Sequence, residues 1–256
     1  MSDFFIILIG ILIPFFGTTL GCAPVFFIKN DLNGTLRRVL LGFAAGVMIA
    51  ASVWSLLIPA IEMTNQSLNF IPAVTGFLIG IFFLTAIDAL IIRLTENNTP
   101  QADTKGILMT AIAVTLHNIP EGMAVGVGFA AILSGEGVIT YAQAFALTIG
   151  IAIQNFPEGA IISMPLKCAG FSRSRAFFYG VLSGIVEPLG AVFMLILTSV
   201  LSPFLPYILS FAAGAMIYVV ARELIPESQC PNGYTSATLG TAAGFALMML
   251  LDVALG

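Results

Sequence analysis

Eight apolar runs, each long enough to cross the hydrocarbon core of a bilayer, take up nearly the whole chain. They fall near residues 4–28, 36–61, 70–94, 106–133, 139–164, 172–200, 205–224 and 234–254. A soluble helical core buries two or three such segments, but eight in succession leave nothing to face water. Charged residues are 9% of the chain and hydrophobic residues 59%, where an ordinary soluble domain carries about 25% charged residues. The expectation is an all-α integral membrane protein of eight transmembrane helices, forming one domain over residues 1–256 in contact with the lipid bilayer. A soluble enzyme and a disordered tail are excluded. A nucleic-acid binder is excluded too, because nine scattered basic residues and a net charge of −4 give no phosphate-tracking surface. The first run, from Phe4, has neither a basic leader nor an evident cleavage site and reads as a retained span. Cys22, Cys168 and Cys230, odd in number and far apart, predict small apolar packing residues and no disulfide framework.

The basic residues set the orientation. Lys29, Arg37 and Arg38 lie around the first connection, and Arg93 and Lys105 around the third. Lys167, Arg173 and Arg175 lie around the fifth, and Arg222 near the seventh. All therefore fall on one side of an eight-span arrangement, which the positive-inside rule assigns to the cytoplasm. Both termini are then extracytoplasmic, and the expected location is the cell membrane. The longest hydrophilic stretch, Thr95 to Lys105, reads as a mobile cytoplasmic loop. No G-x-x-x-x-G-K-[ST] occurs, so no ATP hydrolysis is expected.

The chain repeats itself in reverse. Residues 43–49 read Phe-Ala-Ala-Gly-Val-Met-Ile in the outward-running second span, and residues 211–217 read Phe-Ala-Ala-Gly-Ala-Met-Ile in the inward-running seventh. Pro59 with Glu62, and Pro226 with Glu227, close the two segments. His117-Asn118-Ile119-Pro120-Glu121-Gly122 in span four likewise matches Gln154-Asn155-Phe156-Pro157-Glu158-Gly159 in span five. A signal that crosses the bilayer in both senses marks an inverted repeat, here a bundle of 3+2+3 spans.

Ionisable residues within spans are costly and usually face a bundle interior or a water-filled path. His117 and Glu121 are four positions apart and share one helix face, and Gln154 and Glu158 repeat that geometry. Asn118 and Asn155 add amides one position round, and Glu187, followed by Pro188, adds a third carboxylate from span six. Pro120 and Pro157 each remove a backbone hydrogen bond beside a carboxylate, and Gly122, Gly126, Gly128 and Gly159 allow close helix approach. Three carboxylates in low dielectric cannot all stay ionised without a partner. No Lys or Arg lies near midspan, so a cation or protons must balance them. One imidazole, three carboxylates and several amides form an N/O set suited to Zn²⁺, Mn²⁺ or Fe²⁺.

The two HNxPEG-type motifs, the FAAGxM segments and the eight short spans resemble the ZIP (Zrt-, Irt-like protein) family of divalent metal transporters over nearly the whole chain. Gln154, with Glu-Pro-Leu-Gly at 187–190, is similar to its bacterial GufA-like branch. The resemblance implies a two-metal centre. His117, Glu121, Gln154 and Glu158, with Met48 of span two, would form one site. Asn118, Glu121, Asn155, Glu158 and Glu187 would form the other. It also implies import without a prosthetic group, with zinc the leading substrate and Cd²⁺, Fe²⁺ and Mn²⁺ behind it, and it is consistent with a homodimer. The chain departs from the family where Gln154 replaces a common histidine, where Asn155 replaces a carboxylate, and where the loop before span four lacks histidines.

Pathway residues are expected on both sides. Ser55 and Glu62, two helical turns apart, would line the outer approach above Met48, and Asp88 and Glu223 the inner exit. Glu223 could instead pair with Arg222. Two rivals to a carrier share the same ligands. One is a selective metal channel. The other is an intramembrane metalloenzyme, disfavoured because H-E-x-x-H is absent and the chain holds a single His.

Overall fold

The computed structural model describes residues 3–28, 32–64, 70–96, 102–135, 138–229 and 234–255, with side chains except at 91, 92, 94–96, 102–114, 116, 117, 202 and 234. The expectations for Lys29, Cys230, residues 97–101 and the side chains of Lys105 and His117 lie outside the described residues. Helices occupy all eight expected segments: α1 (Asp3–Cys22, ending in a 3-10 turn Ala23–Phe26), α2 (Gly34–Glu62), α3 (Phe70–Glu96) and α4 (Ala102–Leu133). Then follow α5 (Tyr141–Cys168), α6 (Arg173–Val200), α7 (Leu205–Ser228) and α8 (Tyr234–Leu255). Seven are long and apolar enough to span a membrane, and α4 is the eighth, with Asn118–Leu133 as its described apolar part. The expected loop from Thr95 to Lys105 is shorter than the hydropathy border implied. Its polar ends continue α3 to Glu96 and start α4 at Ala102.

Local chemistry fixes the helix ends. The Asn33 side chain accepts from the Thr35 N–H at 3.0 Å and caps α2. Thr140 and Gln143 form a reciprocal capping box at the start of α5, and Ser172 caps α6. Inside α6, Pro188 has no N–H to give the Gly184 carbonyl, and the helix breaks at Ile185. Glu187 thus stands in the first turn of the second half-helix.

Four pairings carry most of the packing: α1 with α5, α4 with α6, α2 with α8, and α3 with α7. The inverted repeat exchanges the members of this set among themselves. Ala73, Gly76, Gly80 and Asp88 of α3 match Ala237, Gly240, Gly244 and Asp252 of α8 without a gap. The contacts match as well. A Cβ on Gly80 would lie 2.2 Å from the Phe211 carbonyl oxygen, and one on Gly244 would lie 2.0 Å from that of Phe43. Phe43 and Phe211 are the first residues of the two FAAGxM segments. The helix axes approach so closely that only hydrogen fits between them.

Large apolar side chains such as Phe82, Leu239 and Val253 lie on the outside, while Asn118, Glu121, Gln154 and Glu187 are buried. This inverts the soluble pattern and identifies a multi-pass membrane protein. One end of the bundle gathers basic side chains. Lys167 donates to the Ile28 carbonyl, Arg173 donates to that of Phe26 at 3.0 Å, and Arg37 pairs with Glu227 at 3.2 Å. Asp3 and Leu255, which bound the described chain, lie at the opposite end. Cys22 is buried as expected, but Cys168, the last residue of α5, is exposed at the basic end where the chain turns toward α6.

Gly244→Ala forces α8 from α2 and is expected to cost about 1–3 kcal/mol, as overpacking does. Gly128→Ala meets only the Leu147 side chain, at 3.6 Å, and should be neutral or stabilising. Thermal unfolding in detergent separates the two, and equal midpoints would contradict the packing described.

Candidate metal centre

The polar residues of three helices converge inside the bundle. Asn118 and Glu121 come from α4, Gln154, Asn155 and Glu158 from α5, and Glu187 from α6. Five of them have no exposed surface, and Glu158 is 6% exposed. Both helices run on through Pro120 and Pro157. Gly122 lets α6 come close: a Cβ there would lie 2.1 Å from the Glu187 carbonyl oxygen. Its repeat twin Gly159 does the same for α1, where a Cβ would lie 2.3 Å from the Thr18 carbonyl oxygen.

Hydrogen bonds hold this cluster and leave a specific set of atoms over. Gln154 Nε2 donates to Glu121 Oε1 and, at 2.6 Å, to Asn155 Oδ1. Asn118 Nδ2 donates to the Ser183 carbonyl at 3.2 Å and to Glu187 Oε1 at 3.1 Å. Thr18 Oγ1 donates to the same Glu187 oxygen at 2.5 Å. Within the cluster four buried acceptors, Asn118 Oδ1, Glu121 Oε2, Gln154 Oε1 and Glu187 Oε2, and one donor, Asn155 Nδ2, then have no hydrogen-bond partner among the described residues. Each such atom costs about 1–3 kcal/mol, more when charged. A cation coordinated by the four acceptors would remove their cost. Glu158 stands within electrostatic reach of Glu121, Glu187 and Glu223. Among the described residues, no three of His, Cys, Asp and Glu are arranged to hold an ion unaided. Asn155 gives its oxygen to Gln154 and is not a free ligand atom in this arrangement. Met48 is fully buried in the core, as is its repeat twin Met216.

Two π turns interrupt the flanking helices, Ser52–Leu57 in α2 and Val220–Leu224 in α7. Each lies just before a proline, Pro59 or Pro226, whose missing N–H disturbs the α-helical ladder. Ser55 and Glu223 occupy the same position within these turns. Ser55 Oγ donates to Asp252 Oδ1 at 2.7 Å. Ser55, Asp252 and the exposed Glu62 line a cavity of about 220 Å³ at the end remote from the basic side chains. At the basic end Asp88 accepts from Tyr218 Oη at 2.9 Å and from Arg222 Nε at 3.1 Å. Arg222 is therefore bound to Asp88. Asp88 and Asp252 are repeat twins, and each reaches across to the helix paired with its own.

With this geometry in view, comparison with known proteins is decisive. The family model described as ZIP Zinc transporter matches residues 106–252, more than half of the chain. The chain belongs to the ZIP zinc transporter family. Zinc transporter ZIP11 of Homo sapiens is 36% identical to it, across 100% of this chain and 98% of its own length. Zinc transporter GufA of Myxococcus xanthus is 35% identical, across 93% of this chain and 94% of its own. Zinc transporter ZIPB of Bordetella bronchiseptica is 35% identical, across 94% of this chain and 79% of its own. This ZIP chain is a transporter and not an enzyme, and its likeness to GufA agrees with the GufA-like branch.

Sequence reading missed two members of the site. Asp252, near the end of the last span, passes for a terminal polar residue, and only its register with Asp88 marks it. Thr18 passes for a small residue in an apolar helix. Its signal is the match of Thr18-Thr19-Leu20-Gly21 to Glu187-Pro188-Leu189-Gly190, which ends in the same Leu-Gly.

Asp252→Asn keeps the hydrogen bond to Ser55 and removes a charge from the outer cavity. In zinc uptake by proteoliposomes it should raise KM by roughly tenfold, the low end for a charge that concentrates ions in a cleft, with little change in maximal rate. An unchanged KM would take Asp252 off the route.

Proposed function

We propose that this protein carries divalent transition-metal ions, zinc first, across the cell membrane toward the cytoplasm through a two-metal centre between α4 and α5. The observation that carries this reading is the set of four acceptor oxygens on Asn118, Glu121, Gln154 and Glu187, buried in one place and without a partner among the described residues. A bilayer interior has no water to satisfy them, and a hard or borderline dication accepts several oxygens at once. The names of the ZIP relatives favour zinc over its competitors.

His117 would supply the one imidazole. It lies on α4 one turn before Glu121, so the helix puts both on one face. With Gln154, Glu158 and Met48 it would complete one site. Glu187, Asn118 and Asn155, sharing Glu121 and Glu158, would form the other, with Asn155 turning its amide to offer oxygen. Cd²⁺, Fe²⁺ and Mn²⁺ would compete for the same donors. Import is what the family resemblance implies, and the positive-inside rule places the basic end in the cytoplasm. Ions would then enter by Ser55, Glu62 and Asp252 and leave by Glu223, with Asp88 beside the exit. The closed centre favours a carrier over a channel, since Glu121, Gln154 and Glu187 have no exposed surface and an ion needs a conformational change to reach them.

Zinc uptake into proteoliposomes tests the reading. The wild-type protein should show saturable uptake, and Glu158→Ala at equal reconstitution should lose nearly all of it. Uptake absent from both would reject zinc transport. Uptake kept by the variant would reject this centre.

A further inference from the structure

The two halves of the repeat touch at a pair of residues that are each other's twins. Setting Leu20-Gly21 of α1 on Leu189-Gly190 of α6 puts Thr18 on Glu187. The packing supports this register: Gly122 abuts the Glu187 carbonyl, and its twin Gly159 abuts that of Thr18. Thr18 and Glu187 are 169 positions apart and are joined by a hydrogen bond of 2.5 Å. A residue that touches its own twin lies beside the two-fold axis. Thr18 is therefore at the middle of the centre, although it belongs to a helix with no ionisable residue inside the membrane.

A threonine hydroxyl has one proton to give. Here it goes to Glu187 Oε1, while the carbonyl of Pro14, the alternative acceptor within α1, is at 3.5 Å. Asn118 Nδ2 gives a second proton to the same oxygen. Glu187 Oε1 is thus held from two helices, and Oε2 is left without a partner among the described residues. Thr18 has no exposed surface, so no water competes for its proton. Its place is fixed on both sides. Gly159 lies against its backbone, and a Cβ on Gly184 would come within 3.0 Å of its side chain.

We propose that Thr18 is a positioning residue of the metal centre, fixing the Glu187 carboxylate by one oxygen so that the other faces the ion. This rests on the reading of Glu187 as a metal ligand given above. Outer partners of metal-ligating side chains typically change metal affinity by about 10–100-fold when removed.

The full-length protein serves for the test. Thr18→Val replaces the hydroxyl with a methyl of similar size, and Thr18→Ser keeps the hydroxyl. Zinc binding by titration calorimetry in detergent and zinc uptake kinetics in proteoliposomes are measured for both, in the wild-type and Glu187→Gln backgrounds. Thr18→Val should weaken one zinc-binding event and raise KM, each by roughly tenfold or more. Thr18→Ser should return both close to wild type. In the Glu187→Gln background Thr18→Val should add little, because two residues acting through one contact are not additive. Should the valine crowd Gly184 and prevent folding, Thr18→Ala removes the hydroxyl without filling its place, and the same values are expected of it. Wild-type behaviour of the variants lacking the hydroxyl, a serine variant as impaired as the valine one, or an undiminished effect beside Glu187→Gln would each overturn the proposal. A wild-type protein that neither binds nor transports zinc would overturn the metal reading itself, and that failure is visible before any variant is made.

Discussion

Inside a bilayer an oxygen without a donor has no water to turn to, and among the described residues the centre of this protein holds four of them. Their cost, about 1–3 kcal/mol each and more when charged, is tolerated because the surrounding helices are locked by contacts that do not depend on the centre. Gly80 on the Phe211 carbonyl and Gly244 on that of Phe43 hold the pairs α3–α7 and α2–α8 at a spacing no larger residue permits. Gly122 and Gly159 do the same for the pairs that carry the ligands. Close approach also buries the charges, which makes each of them more sensitive to its neighbours. Packing and chemistry are therefore one design: the glycines bring the helices together, and burial makes the carboxylates demand a cation or protons.

The same contacts impose a two-fold relation that the chemistry then breaks. His117 stands opposite Gln154, Thr18 opposite Glu187, and Ser55 opposite Glu223. Asn118 with Asn155, and Glu121 with Glu158, stay alike. A symmetric scaffold therefore carries unlike side chains at like positions, and the two sites proposed above would differ accordingly, one richer in nitrogen and amide, the other in carboxylate. Asp88 and Asp252 diverge in the same way. At one end the aspartate bonds a serine and faces a cavity, and at the other it is held by Tyr218 and Arg222.

Much of this was legible in the sequence because membranes leave a chain few options. Runs of about 20 apolar residues have to be helices, and a carboxylate inside one has to be explained. Glu121, Glu158 and Glu187 were conspicuous for that reason. Thr18 was not, since a threonine can bond its own helix backbone and sits in apolar spans without penalty. Its role is visible only when α1 and α6 are brought together, a contact between positions far apart in sequence. Asp252 was hidden by its nearness to the chain end, where hydropathy gives no warning. Hydropathy also misplaced the border before α4, because helices continue past the apolar edge while their residues favour it. Cys168 failed for a related reason. Apolar character predicts burial in an interior, but at a helix end it is position that decides.

The unlike chemistry at like positions matters for how an ion would move. If the two halves were identical, a two-fold axis in the membrane plane would make both faces equivalent, and nothing in the fold would distinguish arrival from departure. The distinction lies in side chains alone. At the π turn remote from the basic end, Ser55 is neutral and bonds Asp252. At the other, Glu223 carries a carboxylate within electrostatic reach of Glu158. A dication at the proposed centre would therefore meet different fields along the two proposed routes, although the helices that frame them follow one plan. Between the routes, Thr18 takes the place where symmetry would put a fourth carboxylate. A glutamate there would face Glu187 across a hydrogen-bond distance, and two buried like charges so close cannot both ionise. The hydroxyl converts that repulsion into a restraint. It leaves the centre with three carboxylates, enough to hold a cation and one fewer than symmetry alone would place there.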